Sequence, residues 1–391
     1  MTDKTFSAGR HFLQIPGPSN VPDRVLRAMA QPVVDHRGPE FPALTNRVLA
    51  KLAAVFKTVS PVIIYPASGT GGWESALLNT LSPGDKVLAF ETGHFATLWK
   101  NVAVKLGLDV TFVPGDWRHG IDPALVLEKL AADSTHEFKA VLAVHTETST
   151  GINSRIKYIR DAIDAARHPA LFMVDAVSSL ACSDYRHDEW KVDVTVSASQ
   201  KGLMLPPGLC FNAISEKAIE ASKHSKALHS YWRWEEMLTN NARGYFPYTP
   251  GTNLLYGLDE ALNLFDEEGF DNVLARHQRL AKATRIAVDA WGLENLCLNA
   301  DEYSNSTTAV LMPKGHDADK LRLAILEKFN MSLGMGLGKV KGTVFRIGHI
   351  GDFNDLMLMG TLSGVEMGLN LAGVPHQKGG VQAAMEYLAE N

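Results

Sequence analysis

The sequence predicts an α/β protein in which parallel strands alternate with helices. Its 391 residues exceed the length of one typical domain, and its 46% hydrophobic and 21% charged residues are ordinary globular usage. Between about residues 60 and 215, short β-rich runs alternate with stretches that carry apolar residues at helical spacing. That alternation is typical of a mostly parallel sheet whose crossover connections are helices.

Seven apolar runs in this block are predicted to be strands. They cover residues 62–65, 86–90, 109–113, 140–145, 170–174, 192–197 and 209–213. Three segments between them, 73–81, 98–106 and 156–166, carry apolar residues at helical spacing, which predicts helices. In such an arrangement a ligand binds at the edge of the sheet where the strands end.

Two further regions flank this block. Residues 14–20 contain two prolines and a glycine, which disfavour regular structure, so residues 1–20 are predicted to form an N-terminal arm. After a long helical stretch that starts near Gly257, strand signals lie at 308–312 and 344–347 and helical signals at 318–329 and 352–371. The sequence therefore predicts a large domain over residues 21–256 and a smaller C-terminal α/β domain over residues 257–391.

The composition argues against nucleic acid and membranes as partners. Lys and Arg total 38 against 43 Asp and Glu, a net charge of -5, so the chain offers no basic field. The sequence opens without an apolar signal core, and no run approaches the roughly 20 apolar residues that span a bilayer. We therefore expect a cytoplasmic protein whose partners are small molecules.

The cysteine and histidine patterns predict neither disulfides nor a metal. The three cysteines, Cys182, Cys210 and Cys297, are widely spaced and odd in number, which argues against a disulfide framework and against a Cys-based metal site. The 14 histidines include no His-Glu-x-x-His motif. We expect no catalytic metal.

A glycine-rich loop, Ser68-Gly-Thr-Gly-Gly72, joins the first predicted strand to a predicted helix. Glycines let the backbone approach an anion closely, and the free N–H groups at the start of a helix favour negative charge. Taken alone, such a loop is more often only a turn, and it lacks both the dinucleotide fingerprint and the lysine of a P-loop. It predicts a phosphate site only in combination with other residues.

Two charged residues follow other strands of the block. Asp175 ends the strand Leu-Phe-Met-Val-Asp, and Lys201 lies beyond the next strand in Ser-Gln-Lys-Gly. Alone, the acid would be interpreted as a helix cap and the lysine as a surface charge. Together with the glycine loop they fit pyridoxal 5'-phosphate (PLP), which needs a lysine to bond, an acid to keep its pyridine nitrogen protonated and a cradle for its phosphate.

With these residues in place, the sequence resembles the class V aminotransferases of PLP fold type I, and most closely the group that acts on serine or alanine with glyoxylate. Eight motifs in order carry the resemblance, at residues 16–20, 36–41, 68–70, 145–151, 175–177, 199–202, 248–250 and 346–348. The resemblance implies a large domain with a mixed, mostly parallel seven-stranded sheet flanked by helices, plus a smaller C-terminal α/β domain.

The resemblance also implies roles for the site residues. Lys201 would bond the cofactor and then move the substrate proton, and Asp175 would pair with the pyridine nitrogen. The other implied cofactor contacts are Ser68, Gly69, Thr70 and Gln200 at the phosphate, Phe95 and Val177 on the two faces of the ring, and Thr148 at the ring hydroxyl.

Further implied residues lie outside this set. Tyr248 and Thr249 would reach the phosphate of a neighbouring subunit, which implies a homodimer with active sites at its interface and leaves a tetramer open. Arg346 would clamp the substrate carboxylate, although an interdomain ion pair is its alternative role. His36 and Arg37 belong to a segment that resembles the substrate side of serine–glyoxylate enzymes.

The expected reaction is therefore transfer of an amino group from a small L-amino acid, by preference L-serine, to glyoxylate, which gives glycine and hydroxypyruvate. Alanine and aspartate remain alternative donors, and for aspartate Arg37 would be the second cation. A cysteine desulfurase would need a mobile nucleophilic cysteine, for which Cys297 is the candidate. A PLP-dependent regulator and a nicotinamide dehydrogenase are weaker alternatives, since no basic appendage is present and a dehydrogenase would leave Ser-Gln-Lys-Gly unexplained.

Overall fold

The computed structural model describes residues 8–391. Its strands are β1 (Phe12–Gln14), β2 (Val62–Tyr65), β3 (Lys86–Phe90), β4 (Asp109–Val113), β5 (Phe138–Val144), β6 (Thr146–Glu147), β7 (Ile152–Asn153), β8 (Leu171–Asp175), β9 (Val194–Ala198), β10 (Cys210–Ile214), β11 (Glu294–Asn295), β12 (Thr307–Leu311), β13 (Met331–Met335) and β14 (Val344–Gly348).

The α-helices are α1 (Asp23–Met29), α2 (Phe41–Phe56), α3 (Gly69–Thr80), α4 (His94–Lys105), α5 (Pro123–Ala132), α6 (Ile156–Ala165), α7 (Glu216–Ser222), α8 (Trp234–Asn241), α9 (Thr252–Glu268), α10 (Phe270–Ala290), α11 (Ala318–Phe329), α12 (Asp355–Leu371) and α13 (Gly380–Glu390). Two short 3-10 helices cover Ala300–Glu302 and Gly338–Val340. Within residues 8–391, every helix is too short or too polar to cross a membrane.

Seven strands form the larger sheet, in the order β2-β10-β9-β8-β5-β3-β4. Strand β10 is antiparallel to both of its neighbours, and the remaining pairs are parallel. Because β2 and β9 both oppose β10, β2 runs in the same direction as the parallel strands. The predicted mixed, mostly parallel seven-stranded sheet is confirmed, and the carboxyl ends of six strands meet at one edge.

Most strands of the large sheet form where continuous apolar runs are buried on both faces, as is typical of parallel strands. Every residue of β2, β8, β9 and β10 is buried. The predicted runs 62–65, 86–90 and 109–113 coincide with β2, β3 and β4, and the other four lie within two residues of β5, β8, β9 and β10. Apolar runs of this kind need no long-range information to be found.

Five strands form a second sheet, in the order β1-β13-β14-β12-β11. β1, which lies in the arm predicted to be irregular, pairs in parallel with β13, with Phe12 opposite Met331. Neither β1 nor β13 was predicted. β1 is hard to find from sequence because it spans only three residues and forms through hydrogen bonds to a strand more than 300 residues away. Helix α11 matches the predicted segment 318–329.

The predicted domain boundary at 256/257 falls inside α9. Gly257 lies within that helix. An added Cβ at this position would come 2.6 Å from Cγ of Met29, so the glycine lets α1 pack closely against α9. Side chains up to Val273 pack in the core around the large sheet, whereas Leu280 packs in the core around the second sheet. We propose that the two domains divide within α10.

Candidate active site

A cavity of about 240 Å³ opens at the carboxyl edge of the large sheet. It brings together nine of the predicted site residues: Ser68, Gly69, Thr70, Phe95, Thr148, Asp175, Val177, Gln200 and Lys201. Its remaining lining residues are Gly17, Pro18, Trp73, Thr146, Ser178 and Pro207. Residues from six separate segments of the chain therefore converge on one space.

The glycine loop forms one end of the cavity, between β2 and α3. Ser68 has extended backbone and its side chain makes no capping hydrogen bond to α3, so the hydroxyl stays available. An added Cβ at Gly69 would come 3.0 Å from Cγ2 of Val177, which is tighter than ordinary contact. The buried Oε1 of Gln200 has no hydrogen-bond partner among residues 8–391. This end of the cavity offers hydroxyls and helix N–H groups, as an anion site requires.

Asp175 lies at the end of β8 with its side chain buried. Its Oδ1 accepts a hydrogen bond of 2.7 Å from the backbone N–H of Val177, and its Oδ2 accepts one of 3.1 Å from Nε1 of Trp73. Burial raises the pKa of Asp175 to about 7, and these two donors act in the opposite direction. A cation placed beside Asp175 would favour its ionised form.

Lys201 lies in the turn after β9 and is only 8% exposed. Its Nζ donates a hydrogen bond to the backbone oxygen of Pro16 in the N-terminal arm. Ser19 of the same arm donates from its hydroxyl to the Lys201 carbonyl at 2.9 Å, so the arm covers the lysine. Burial, together with the nearby charge of Arg346, lowers the pKa of Lys201 to about 8. An amine with this pKa is half unprotonated at about pH 8, where an ordinary lysine amine is almost fully protonated.

The arm can approach Lys201 this closely because of Gly17. Its φ of +106° lies in the region that favours glycine, and an added Cβ would come 2.5 Å from Cδ of Lys201. The motif at residues 16–20 is therefore a structural part of the cavity wall.

Phe95 lies in the first turn of α4, which a buried carboxylate holds in place. Glu147 accepts hydrogen bonds at its Oε1 from Phe95 N at 3.3 Å and at its Oε2 from Ala96 N at 3.0 Å. Ser149 donates its hydroxyl to the same carboxylate at 2.6 Å. An acid at a helix N-terminus is stabilised by the helix dipole, so Glu147 fixes the aromatic ring at the cavity wall.

Arg346 lies on β14 and contacts the cavity indirectly. Its Nη1 donates to the backbone oxygen of Thr148, and its Nε donates to that of Met335, each at 2.8 Å. The side chain of Thr148 in turn hydrogen-bonds the hydroxyl of Ser178. Burial lowers the pKa of Arg346 to about 10, which leaves the guanidinium charged at neutral pH. No carboxylate within residues 8–391 forms a salt bridge with it, so the interdomain ion pair is not observed.

Four predicted site residues lie away from this cavity, and we call them the outer patch: His36, Arg37, Tyr248 and Thr249. His36 and Thr249 are 3.4 Å apart, from Nε2 to Oγ1, and Arg37 is exposed. Tyr248 stacks on Tyr231 with ring centroids 4.3 Å apart. The buried Tyr248 hydroxyl has no hydrogen-bond partner in the described part of the chain. None of these four residues lines the cavity that holds Lys201.

Sequence reasoning missed several residues of the site. Trp73 was assigned only to the apolar face of a helix, and Glu147 lay inside a quoted motif without a role. The signal that could have identified Glu147 was its charge, because it is the one carboxylate in the motif at residues 145–151. The indole of Trp73 gave no such signal, because its hydrogen bond joins residues 102 positions apart in the chain.

Comparisons with known proteins agree with this geometry. The family described as aminotransferase class-V matches residues 11–337. The serine–glyoxylate aminotransferase of Methylorubrum extorquens is 48% identical over 390 residues, covering 98% of this chain and 97% of its own. The L-aspartate–glyoxylate aminotransferase of Paracoccus denitrificans is 44% identical over 375 residues, covering 95% of each chain.

A solved structure supports the same conclusion. Pyridoxamine–pyruvate aminotransferase from Mesorhizobium loti superposes with a TM-score of 0.91 at 29% identity, covering 97% of each chain. The predicted fold class and the prediction of an aminotransferase are both confirmed. The family match over most of the chain, together with relatives of 44% and 48% identity along nearly its full length, shows that the chain belongs to the class V aminotransferases.

Proposed function

We propose that the cavity binds PLP and that the protein transfers the amino group of L-serine to glyoxylate, giving hydroxypyruvate and glycine. The observation that carries this proposal is the placement of Lys201, Asp175 and the Ser68–Thr70 loop around one cavity. Each supplies one of the three groups that PLP requires.

The residues present fit this cofactor. The Ser68 hydroxyl makes no capping hydrogen bond and is free to donate to a phosphate, and Gly69 stands where an added Cβ would crowd Val177. Asp175 is a buried acid whose pKa of about 7 makes it receptive to a protonated ring nitrogen. We propose that Ser68, Gly69, Thr70 and Gln200 hold the phosphate, and that Phe95 and Val177 enclose the ring with Thr148 at its hydroxyl.

When bound, PLP supplies an electron sink for the pair left at the substrate Cα. Lys201 would hold the cofactor, and its buried amine would serve as the base that removes the Cα proton, a role that its lowered pKa favours. Asp175 holds a proton at the pyridine nitrogen. Arg346 orients the substrate through its carboxylate with the N–H groups that Met335 and Thr148 leave free. The second half of the ping-pong cycle uses the same residues with the 2-oxo acid.

The lining of the cavity favours a donor with a small neutral side chain. Lys201 and Asp175 are the charged residues of the described lining, and hydroxyl groups of Thr146, Thr148 and Ser178 surround them. Serine can exchange hydrogen bonds with such hydroxyls, whereas the side-chain carboxylate of aspartate would need a second cation. The relative from Methylorubrum extorquens, with its serine–glyoxylate activity, supports the same choice.

Aspartate is the second candidate donor, because the relative from Paracoccus denitrificans is named for it and Arg37 is an exposed cation on the outer patch. Tyr248, Thr249, His36 and Arg37 would reach an active site only from a neighbouring copy. We therefore propose a homodimer whose interface completes each site.

A cysteine desulfurase is not favoured. Cys297 is buried and follows the two-residue strand β11, and burial raises its pKa to about 11. The other two cysteines are buried as well. A nucleophilic cysteine needs a lowered pKa and an accessible sulfur.

The test is to compare serine, alanine and aspartate as donors to glyoxylate by kcat/KM, measuring hydroxypyruvate, pyruvate or oxaloacetate. We expect serine to exceed aspartate by at least about 100-fold, since aspartate would bury an unpaired charge. Because serine has no side-chain charge, the variant Arg37→Ala should lower kcat/KM for aspartate more than kcat/KM for serine. A protein that binds no PLP, or transfers from none of the three donors, would refute the proposal.

A further inference from the structure

Trp73 lines the cavity, yet the proposed function gives it no role. It lies in the first half of α3 and is 3% exposed. Its indole Nε1–H donates to Oδ2 of Asp175 at 3.1 Å, while the backbone N–H of Val177 donates to Oδ1 at 2.7 Å. Each oxygen of the Asp175 carboxylate is therefore held by one donor, and Trp73 is the side-chain donor.

The indole is held in place by its stacking on Trp99 and by the close approach of α3 to the sheet. It stacks on Trp99 of α4 with ring centroids 5.9 Å apart and ring planes at 13°. At Gly72 an added Cβ would come 2.7 Å from Cγ1 of Val196, so the glycine lets α3 lie close to β9. Val196 is the register partner of Asp175 in the sheet. The close approach of α3 thus sets the distance between the indole and the carboxylate.

The Trp73 N–H helps to decide whether Asp175 is ionised, because the other influences on this carboxyl oppose one another. Burial raises the pKa of the carboxyl and Glu147 raises it further, whereas Lys201 and the Trp73 donor lower it. The neutral phenol of Tyr185 lies in the same buried region. Because the interior screens charge weakly, loss of one hydrogen bond to the ionised form shifts the balance toward the protonated acid.

We propose that Trp73 is a positioning residue that orients the Asp175 carboxylate toward the pyridine nitrogen of PLP and keeps it ionised. This inference rests on the proposed cofactor. If Trp73 only supported the fold, its loss would weaken the binding of PLP and of any other ligand of the same shape equally. A positioning role makes its contribution depend on the ring nitrogen.

The test compares two ligands on the cofactor-free protein by equilibrium dialysis: PLP, and its analogue with carbon in place of the ring nitrogen. Trp73→Phe keeps an aromatic ring against Trp99 and loses the N–H. We expect PLP to bind about tenfold more weakly to this variant and the analogue to change by less than about twofold. Trp73→His keeps a ring N–H, so it should bind PLP at least about threefold more tightly than Trp73→Phe does.

Trp99→Phe is the matched control, because it alters the other ring of the same stacked pair. The buried Nε1 of Trp99 has no hydrogen-bond partner among the residues that the structure describes. Both ligands should bind this control within about twofold of the wild type. Equal losses of PLP and of the analogue in Trp73→Phe would overturn the inference while leaving the proposed function intact. A wild-type protein that binds neither ligand would overturn both.

Discussion

The cavity and the outer patch differ in how completely one chain builds them. In the cavity, Asp175 and Lys201 are buried, hydrogen-bonded and shifted in pKa before any ligand is considered. On the outer patch, Arg37 is exposed and the Tyr248 hydroxyl lacks a partner among residues 8–391. Groups that are fixed before the substrate binds suit catalysis, because electrostatic stabilisation of a transition state depends on donors that are already in position. The proposed homodimer would place a group of the second chain beside that hydroxyl.

The largest expected effect breaks the chemistry of the cavity. Lys201→Ala should lower kcat for glycine formation by about 10⁴-fold or more, because it removes both the bond to PLP and the base for the Cα proton. Lys201→Arg keeps the charge and should be equally inactive. Rates are measured at saturating serine and glyoxylate. Retention of even a tenth of the wild-type rate in either variant would contradict the role of Lys201.

Arg346→Gln should have a smaller effect, confined mainly to substrate binding. It replaces a charge-assisted clamp by a neutral amide, so KM for serine should rise about 100-fold with a lesser change in kcat. Arg346→Lys is the control that keeps charge without the planar fork, and it should recover only part of the loss. An unchanged KM in Arg346→Gln would remove this residue from the substrate site.

The same variant sharpens the electrostatic part of the comparison. Since the Arg346 charge helps lower the pKa of Lys201 to about 8, its removal should move that pKa upward. The neutral amine reacts with PLP, so the association rate with cofactor-free protein should rise with pH and level off above about 8. In Arg346→Gln that plateau should begin at higher pH. A plateau at the same pH would show that burial alone sets the pKa.

The smallest expected effect concerns the outer patch. Tyr248→Phe should weaken PLP binding by about tenfold if the hydroxyl reaches a phosphate in the neighbouring subunit. Co-expression of Tyr248→Phe with Lys201→Ala yields hybrid dimers in which one site has both wild-type residues. At low PLP, such a mixture should exceed the average activity of the two parents. Activity equal to that average would place Tyr248 in its own chain's site.

The sequence alone predicted the sheet and most of the cavity residues. The seven apolar runs and the polar residues that follow them are local features, and parallel strands bring their carboxyl ends to one edge whatever the remaining packing. Asp175, Lys201 and Ser68 therefore lie together for a topological reason that the order of strands already contains. The membership of the family rests on the same local motifs.

Only the tertiary structure decided the contacts between distant segments. Strand β1 exists because β13 offers it hydrogen bonds, and Arg346 reaches the cavity through the Thr148 carbonyl. Glu147 acquires its role from the backbone N–H of Phe95, and Trp73 acquires its role from Asp175. Hydrogen bonds between residues far apart in the chain depend on the directions of side chains and on how closely each helix packs against the sheet. The periodicity of apolar residues does not encode either property.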